Sequence, residues 1–355
     1  MDGGLCDELL EEVLRRLPRR GTFFASSTAD VSLVSKRWLR LYRSTRSTLS
    51  LRLSPDDYPS VPTGSASSAL LRISTSLFSP YPKDSNPSML RARGTLTLNR
   101  CEGIGNDTSS SLFVKCLKGL QEVELIHCRY EILSKLVNNC ASLSSLLVHD
   151  SFAGTKGLRQ FITHGRCNLR KLDLRTRHGL LRETDLLAVG EKFRGLLSLR
   201  LHGFSSITGE GLKTMMLAMS NELEELALVN CNLGPGLLTT LGQKFRNLRK
   251  LDLSSNTRML VDKEFISMLA SCNFLTVLKV RSCRGLTNAS LVSMFQSCKQ
   301  LESVDIMDCP GIEAEYVEFF VLNCPRLRQI RVEESKLSDV SRSWASKKLV
   351  ELVFH

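Results

Sequence analysis

Aromatic residues make up only 6% of this 355-residue sequence. Recognition of single-stranded nucleic acid leans on stacking platforms, so the composition argues against it despite a net charge of +12. No stretch approaches the roughly 20 apolar residues of a membrane-spanning helix. The opening MDGGLCDELLEE is acidic, with neither the basic start nor the apolar run of a secretory signal. These absences lead us to expect an intracellular protein of the nucleus and/or cytoplasm, with no nucleic acid and no membrane as partner. The six histidines are scattered, and no H-E-x-x-H, glycine-rich phosphate loop or G-x-S-x-G occurs. None of the twelve cysteines forms a C-x-x-C pair, so a zinc site is not expected. A non-catalytic protein without metal or cofactor is the expectation.

What is present is repetition. NLRKLDL is written at 168–174 and again at 247–253. Its leucines stand at positions one, four and six, and the frame recurs at Leu196/Leu199/Leu201, Leu223/Leu226/Leu228, Leu275/Leu278/Val280, Leu301/Val304/Ile306 and Leu327/Ile330/Val332. It reaches Leu349/Leu352/Phe354 at one end and Leu120/Val123/Leu125 and Leu143/Leu146/Val148 at the other, with a weaker copy at Leu96 and Leu98. The steps run from 22 to 27 residues, the period of a leucine-rich repeat. In a strand, residues two apart face one side, so positions four and six point inward and three, five and seven outward. Between strands, runs such as Gly211–Met219, Glu264–Cys272 and Ser290–Cys298 place apolar residues at helical spacing. Thr208 and Thr287 precede two of them as candidate N-caps. The expected fold is therefore α/β: a right-handed solenoid of about ten to eleven repeats over 96–355, an open horseshoe with parallel strands on the concave face and helices on the convex one.

The cysteines keep the register. Cys101, Cys128, Cys231, Cys283 and Cys309 take position nine, where Asn256 is the alternative. Cys140, Cys272, Cys298 and Cys324 lie three residues before the first leucine, a slot that Phe193 and Phe245 also fill. Exchange with phenylalanine marks a buried apolar slot and predicts reduced structural thiols rather than a disulfide framework.

The first fifty residues follow another pattern. Leu5, Leu9, Val13 and Leu17 recur every four residues, Leu10 and Leu14 add a second apolar edge, and Pro18 ends the run. Val31, Val34, Trp38 and Leu41 form a second helical stripe. One edge can face the segment's own small core while the other needs a partner; a helical cap for the solenoid is the alternative. Residues 51–95 hold six of the ten prolines and read as a Ser/Pro-rich linker, in which SALLRISTSLF can be the remnant helix of a degraded repeat.

LCDELLEEVLRRL at 5–17 followed by SLVSKRWLRL at 32–41 resembles an F-box, departing from its pattern at Cys6, at Ser35 and in a longer connector. With the cysteine-containing repeats behind it, the chain resembles an F-box/leucine-rich-repeat protein of the plant type. The resemblance implies domains at 1–50 (F-box), 51–95 (linker) and 96–355 (repeats). It also implies the role of substrate receptor in an SCF-type ubiquitin ligase. Leu5, Glu8, Leu9, Val13, Leu17, Leu33, Val34, Lys36 and Trp38 would then contact a Skp-type adaptor, and through it cullin and RING subunits, in a helix-in-groove mode. Residues 1–100 carry 15 Lys and Arg against 9 Asp and Glu, which suits an acidic adaptor. A hormone-sensing receptor of the same family would need many more repeats. The alternative outside ubiquitin transfer is a plain repeat scaffold for protein–protein contacts.

On the outward positions of the repeats one block is basic: Lys171, Arg175, Arg200 and His202, with His149 beside them. We expect either a solvated face or an anion-accepting patch for an acidic or phosphorylated segment of a protein substrate, where guanidinium groups pair bidentately.

Overall fold

The computed structural model describes residues 48–52, 94–99, 120–126, 131–137, 139–150, 156–176, 181–257 and 260–354. The F-box-like residues Leu5, Glu8, Leu9, Val13, Leu17, Leu33, Val34, Lys36 and Trp38 lie outside these, as do Cys101 and Cys128. The chain divides into two compact units. One comprises Met1–Leu146, Ser151–Phe161 and Gly165–Cys167; the other comprises Leu147–Asp150, Ile162–His164 and Asn168–His355.

In the first unit, β1 (Thr48–Arg52), β2 (Gly94–Asn99) and β3 (Leu120–Ile126) pair in parallel in chain order. Leu49 and Leu51 stand opposite Leu96 and Leu98, which stand opposite Val123 and Leu125. The strand β1 was not expected: it crosses the boundary placed between an F-box at 1–50 and a linker at 51–95. Its Leu-x-Leu supplies positions four and six, but Arg46 stands where position one would carry leucine. Two residues at period two are too short a signal to read alone. Helix α1 (Glu131–Leu136) follows β3. The division between the units runs through β4 (Ser145–His149) and α2 (Lys156–His164).

The second unit alternates strand and helix. Strands β5 (Lys171–Arg175), β6 (Ser198–His202) and β7 (Glu225–Val229) are each followed by a helix, α3 (Glu183–Lys192), α4 (Gly209–Ala218) and α5 (Leu237–Lys244). Strands β8 (Lys250–Asp252), β9 (Val277–Lys279), β10 (Ser303–Asp305) and β11 (Gln329–Arg331) continue the series. The helices after them are α6 (Asp262–Leu269), α7 (Asn288–Ser297), α8 (Ala314–Asn323) and α9 (Asp339–Lys348), and β12 (Glu351–Val353) closes it. Every strand from β5 to β12 pairs in parallel with the next without slippage. Position four therefore forms one row, Leu172, Leu199, Leu226, Leu251, Leu278, Val304, Ile330 and Leu352. This is an α/β leucine-rich-repeat solenoid.

The frame explains the core. Positions one, four and six are buried from β5 to β11, and the helices cover them with Leu186, Val189, Leu212, Met215, Leu241, Phe265, Met268, Leu291 and Phe320. A fully buried leucine of this kind stabilises by about 1.5–3 kcal/mol. The slot three residues before position one holds buried Phe193, Phe245, Cys272, Cys298 and Cys324. Phenylalanine and cysteine both fill that slot, with Ser220 taking it in the repeat between Phe193 and Phe245.

Position eight is where each strand turns away. Asp150, Asn230, Ser255, Ser282 and Asp308 all adopt positive φ there, between 44° and 64°, and Gly203 does so at 84°. Asp, Asn and Gly tolerate the left-handed region best. At Gly203 a Cβ would sit 1.9 Å from the Thr176 carbonyl oxygen, so no larger residue fits. Position nine then faces inward. Asn256 Nδ2 donates to the Leu228 and Leu253 carbonyls at 2.7 Å each, and its Oδ1 accepts from Cys231 N–H at 2.8 Å. The thiols in that slot do less: Cys283 Sγ reaches the Leu253 carbonyl at 3.4 Å and Cys309 Sγ the Val280 carbonyl at 3.1 Å.

Neighbouring helices share their caps. Thr208 caps α4 by accepting from Gly211 N–H, and its own N–H donates to Glu183 in the first turn of α3. Thr287 caps α7 and donates N–H to Asp262 Oδ1 at 2.9 Å, at the start of α6. Asn288 Oδ1 in turn accepts from Glu313 N–H ahead of α8. Each bridge satisfies donors that a helix start leaves without intrahelical partners.

Candidate functional site

The outward residues of β5 to β11 form a surface whose layout follows from the register. At position five the row reads Asp173, Arg200, Ala227, Asp252, Lys279, Asp305, Arg331. Charge alternates along it, with Ala227 as the one neutral break. On an open sheet such neighbours lie about 4.8 Å apart, close enough for strong coupling.

The structure brings three of the five expected basic residues, His149, Arg175 and Arg200, into two acid–base clusters. Asp173, only 2% exposed, lies beneath Arg175, which is 42% exposed. The Nε and Nη2 of Arg175 donate to its two carboxylate oxygens at 3.2 and 3.1 Å. His149 Nε2 lies 3.5 Å from the same carboxylate. Burial alone would raise the Asp173 pKa; the close approach of His149 and the hydrogen bonds and charge of Arg175 outweigh it and hold the carboxylate below its usual range. The second cluster repeats the design one strand on. Arg200 uses Nε and Nη2 on Glu225 Oε1, the Nε bond measuring 2.6 Å, while Ser198 Oγ donates to Glu225 Oε2 at 3.1 Å. Burial opposes ionisation of Glu225 as well, and the Arg200 contacts again win.

Lys171 stands at position three of β5, opposite Ser198, and His202 at position seven of β6, opposite Arg175. His202 is exposed and Lys171 half-buried. Sequence reasoning found these five residues but left out Asp173 and took no partner for Glu225. The signal was there: Asp173 is position five of the same strand, between Lys171 and Arg175, and Glu225 is the register partner of Ser198. The sequence marks the following strands as mixed in charge, with Glu225, Lys250, Asp252 and Lys279, but does not show that Asp173 and Glu225 pair with Arg175 and Arg200.

Asp305 is the counterpart of Asp173 with the opposite outcome. It is buried, and among the described residues its carboxylate accepts one hydrogen bond, from Met307 N–H at 3.2 Å. Burial raises its pKa, with Arg331, Arg281 and Lys279 compensating in part. The buried thiols are pushed up too, Cys231, Cys283, Cys298 and Cys324 to about 12 and Cys272 and Cys309 to about 11. Among the described residues no group of three His, Cys, Asp or Glu side chains could hold a metal ion, and no helix is long and apolar enough to cross a membrane.

Fold and face together define a leucine-rich-repeat scaffold that presents a patterned charged surface. A solved chain from the yeast Rad7 and Elc1 complex superposes with a TM-score of 0.60 at 19% identity, over 74% of this chain and 67% of that one. The leucine-rich repeat-containing protein LegL7 from Legionella pneumophila gives 0.45 at 15% identity, over 86% and 88%. An internalin from Listeria monocytogenes gives 0.39 at 15%, over 84% and 98%. No family model matches the chain, and no curated protein matches it.

Proposed function

We propose that this chain is the substrate-recognition subunit of an SCF-type ubiquitin-protein ligase and carries out no chemistry itself. One observation carries the reading: an F-box-like segment at 5–41 precedes cysteine-containing leucine-rich repeats whose register the strands reproduce. Leu5, Leu9, Val13 and Leu17, with Leu33, Val34 and Trp38, would enter an apolar groove of a Skp-type adaptor, flanked by Glu8 and Lys36. Cullin and RING subunits would join through that adaptor. The repeat face would hold the protein substrate near the activated ubiquitin, so the mechanism is proximity. The similar chain from the Rad7 and Elc1 complex is consistent with a protein that works as one member of an assembly.

The substrate-facing residues in this reading are Lys171, Arg175, Arg200 and His202, with His149 beneath through Asp173. A plain scaffold would share the repeat face but not the adaptor. Co-expression with a Skp-type adaptor separates the two. Leu9→Asp or Val13→Asp should abolish co-purification, because a charge would be buried without a partner. The repeat domain's melting transition should stay unchanged. Undiminished co-purification of both variants would refute the assignment.

A further inference from the structure

Resting on the reading that this face holds a protein substrate, the geometry points to a division of labour within it. Arg175 and Arg200 are each gripped along one edge, through Nε and Nη2, by an acid that lies deeper than they do. Asp173 is 2% and Glu225 18% exposed, against 42% and 36% for their arginines. The acids have a second neighbour each, His149 at 3.5 Å from Asp173 Oδ1 and Ser198 donating to Glu225 Oε2. What remains of each guanidinium, its Nη1 donors and the outer face, is turned away from the acid. Guanidinium keeps its charge at any ordinary pH. A free arginine loses on the order of 0.5–1.5 kcal/mol of rotamer freedom when a partner immobilises it.

We propose that Asp173 and Glu225 are positioning residues that preset Arg175 and Arg200 to receive an extended acidic peptide segment. The register supplies the spacing. Arg175 stands opposite His202 and Asp173 opposite Arg200, so the two arginines are one strand apart across the sheet and two residues apart along it. That is about 8 Å, from roughly 4.8 Å across and 6.7 Å along. Side chains on one face of an extended peptide recur about every 6.7 Å. Carboxylates two residues apart in such a segment therefore reach both guanidiniums. No Phe, Tyr or Trp occupies an outward position from β5 to β11, which disfavours nucleic acid, whose bases would lack a platform.

The two views of the buried acids differ in sign. If the acids merely neutralise the arginines, removing one must strengthen the binding of an anion. If they position them, removal must weaken it although the face becomes more positive. The test is fluorescence anisotropy on the full chain with a labelled twelve-residue peptide of alternating Glu and Ser, and a Gln/Ser peptide as control. Wild type should bind the Glu peptide alone, and Arg200→Glu should abolish binding. Glu225→Gln and, independently, Asp173→Asn should each weaken it about three- to tenfold, the cost of immobilising one freed side chain. Thermal melting certifies that each variant is folded; where one is not, the other decides. Tighter binding by a folded Glu225→Gln or Asp173→Asn overturns the positioning role and leaves the acid-accepting face standing. Absence of wild-type binding, or binding indifferent to Arg200→Glu, removes that face as an acid acceptor and the positioning role with it. A twelve-residue oligothymidylate that binds more tightly than the peptide overturns the choice of partner.

Discussion

Two aspartates at position five, Asp173 and Asp305, show how far one repeated slot can diverge. Asp173 is ionised below the normal range because His149 lies close to it and Arg175 bonds it, so its stabilisation is present above a pH of about 4 and lost as pH falls through the lower folded value. Asp305 has the reverse linkage: its folded pKa is raised by burial, so its favourable contribution belongs to the protonated form and is lost as pH rises. Asp305→Asn should accordingly raise the melting temperature at pH 7, with the gain shrinking as pH falls through the raised folded value and gone below about pH 4, whereas Asp173→Asn should lower it at pH 7. Differential scanning fluorimetry across that range checks both signs. The thiols follow the same logic. With pKa values of about 11 to 12, Cys231, Cys272, Cys283, Cys298, Cys309 and Cys324 should stay unlabelled by iodoacetamide at pH 8 in the folded protein. They should label fully in guanidinium, as site-by-site mass spectrometry would read. Their linkage predicts stability lost on raising pH from about 9 towards those values.

At the scale of the element, the strand–turn unit is set by a few positions. Leu251→Ala should cost about 2–5 kcal/mol, as for other large-to-small core changes, while Arg249→Ala, exposed two residues away, should stay within about 0.5 kcal/mol. Asn256→Ala should be costly as well, at about 3 kcal/mol, since it removes the partner of the Cys231 N–H and of the Leu228 carbonyl and leaves the Leu253 carbonyl only the Cys283 thiol. Asn256→Cys should fall between Asn256→Ala and wild type, because a thiol serves that slot in adjoining repeats. Chemical denaturation orders the four. The inward positions, the N-caps Thr208 and Thr287 and the thiol columns were legible in the sequence because period and burial leave the same trace in every repeat. Position eight was legible too, in Asp150, Asn230, Gly203 and Asp308, but only once the turn was known to need positive φ. What escaped was pairing across strands. Asp173 beneath Arg175 and Glu225 against Arg200 depend on depth and register, which a repeat frame aligns but does not weigh. Strand β1 escaped because its frame had lost its first leucine.

For the second unit as a whole, each repeat touches only its neighbours, so stability accumulates as local and nearest-neighbour contributions. Substitutions in β7 and β11, separated by three intervening strands, should be additive within about 0.5 kcal/mol. The bridges from Glu183 to Thr208, Asp262 to Thr287 and Asn288 to the start of α8 add a seam along the helix side, parallel to the one formed by the strands. Under tension those two seams must part together. A molecule held at its C-terminus and at residue 168 in an optical trap should thus lengthen in discrete jumps of about 80–90 Å, the contour of about 26 residues less one strand spacing. Cutting a bridge with Asp262→Ala should lower the force of a single jump and leave its length alone, turning a hydrogen bond between helix caps into a mechanical fuse at a known place in the stack.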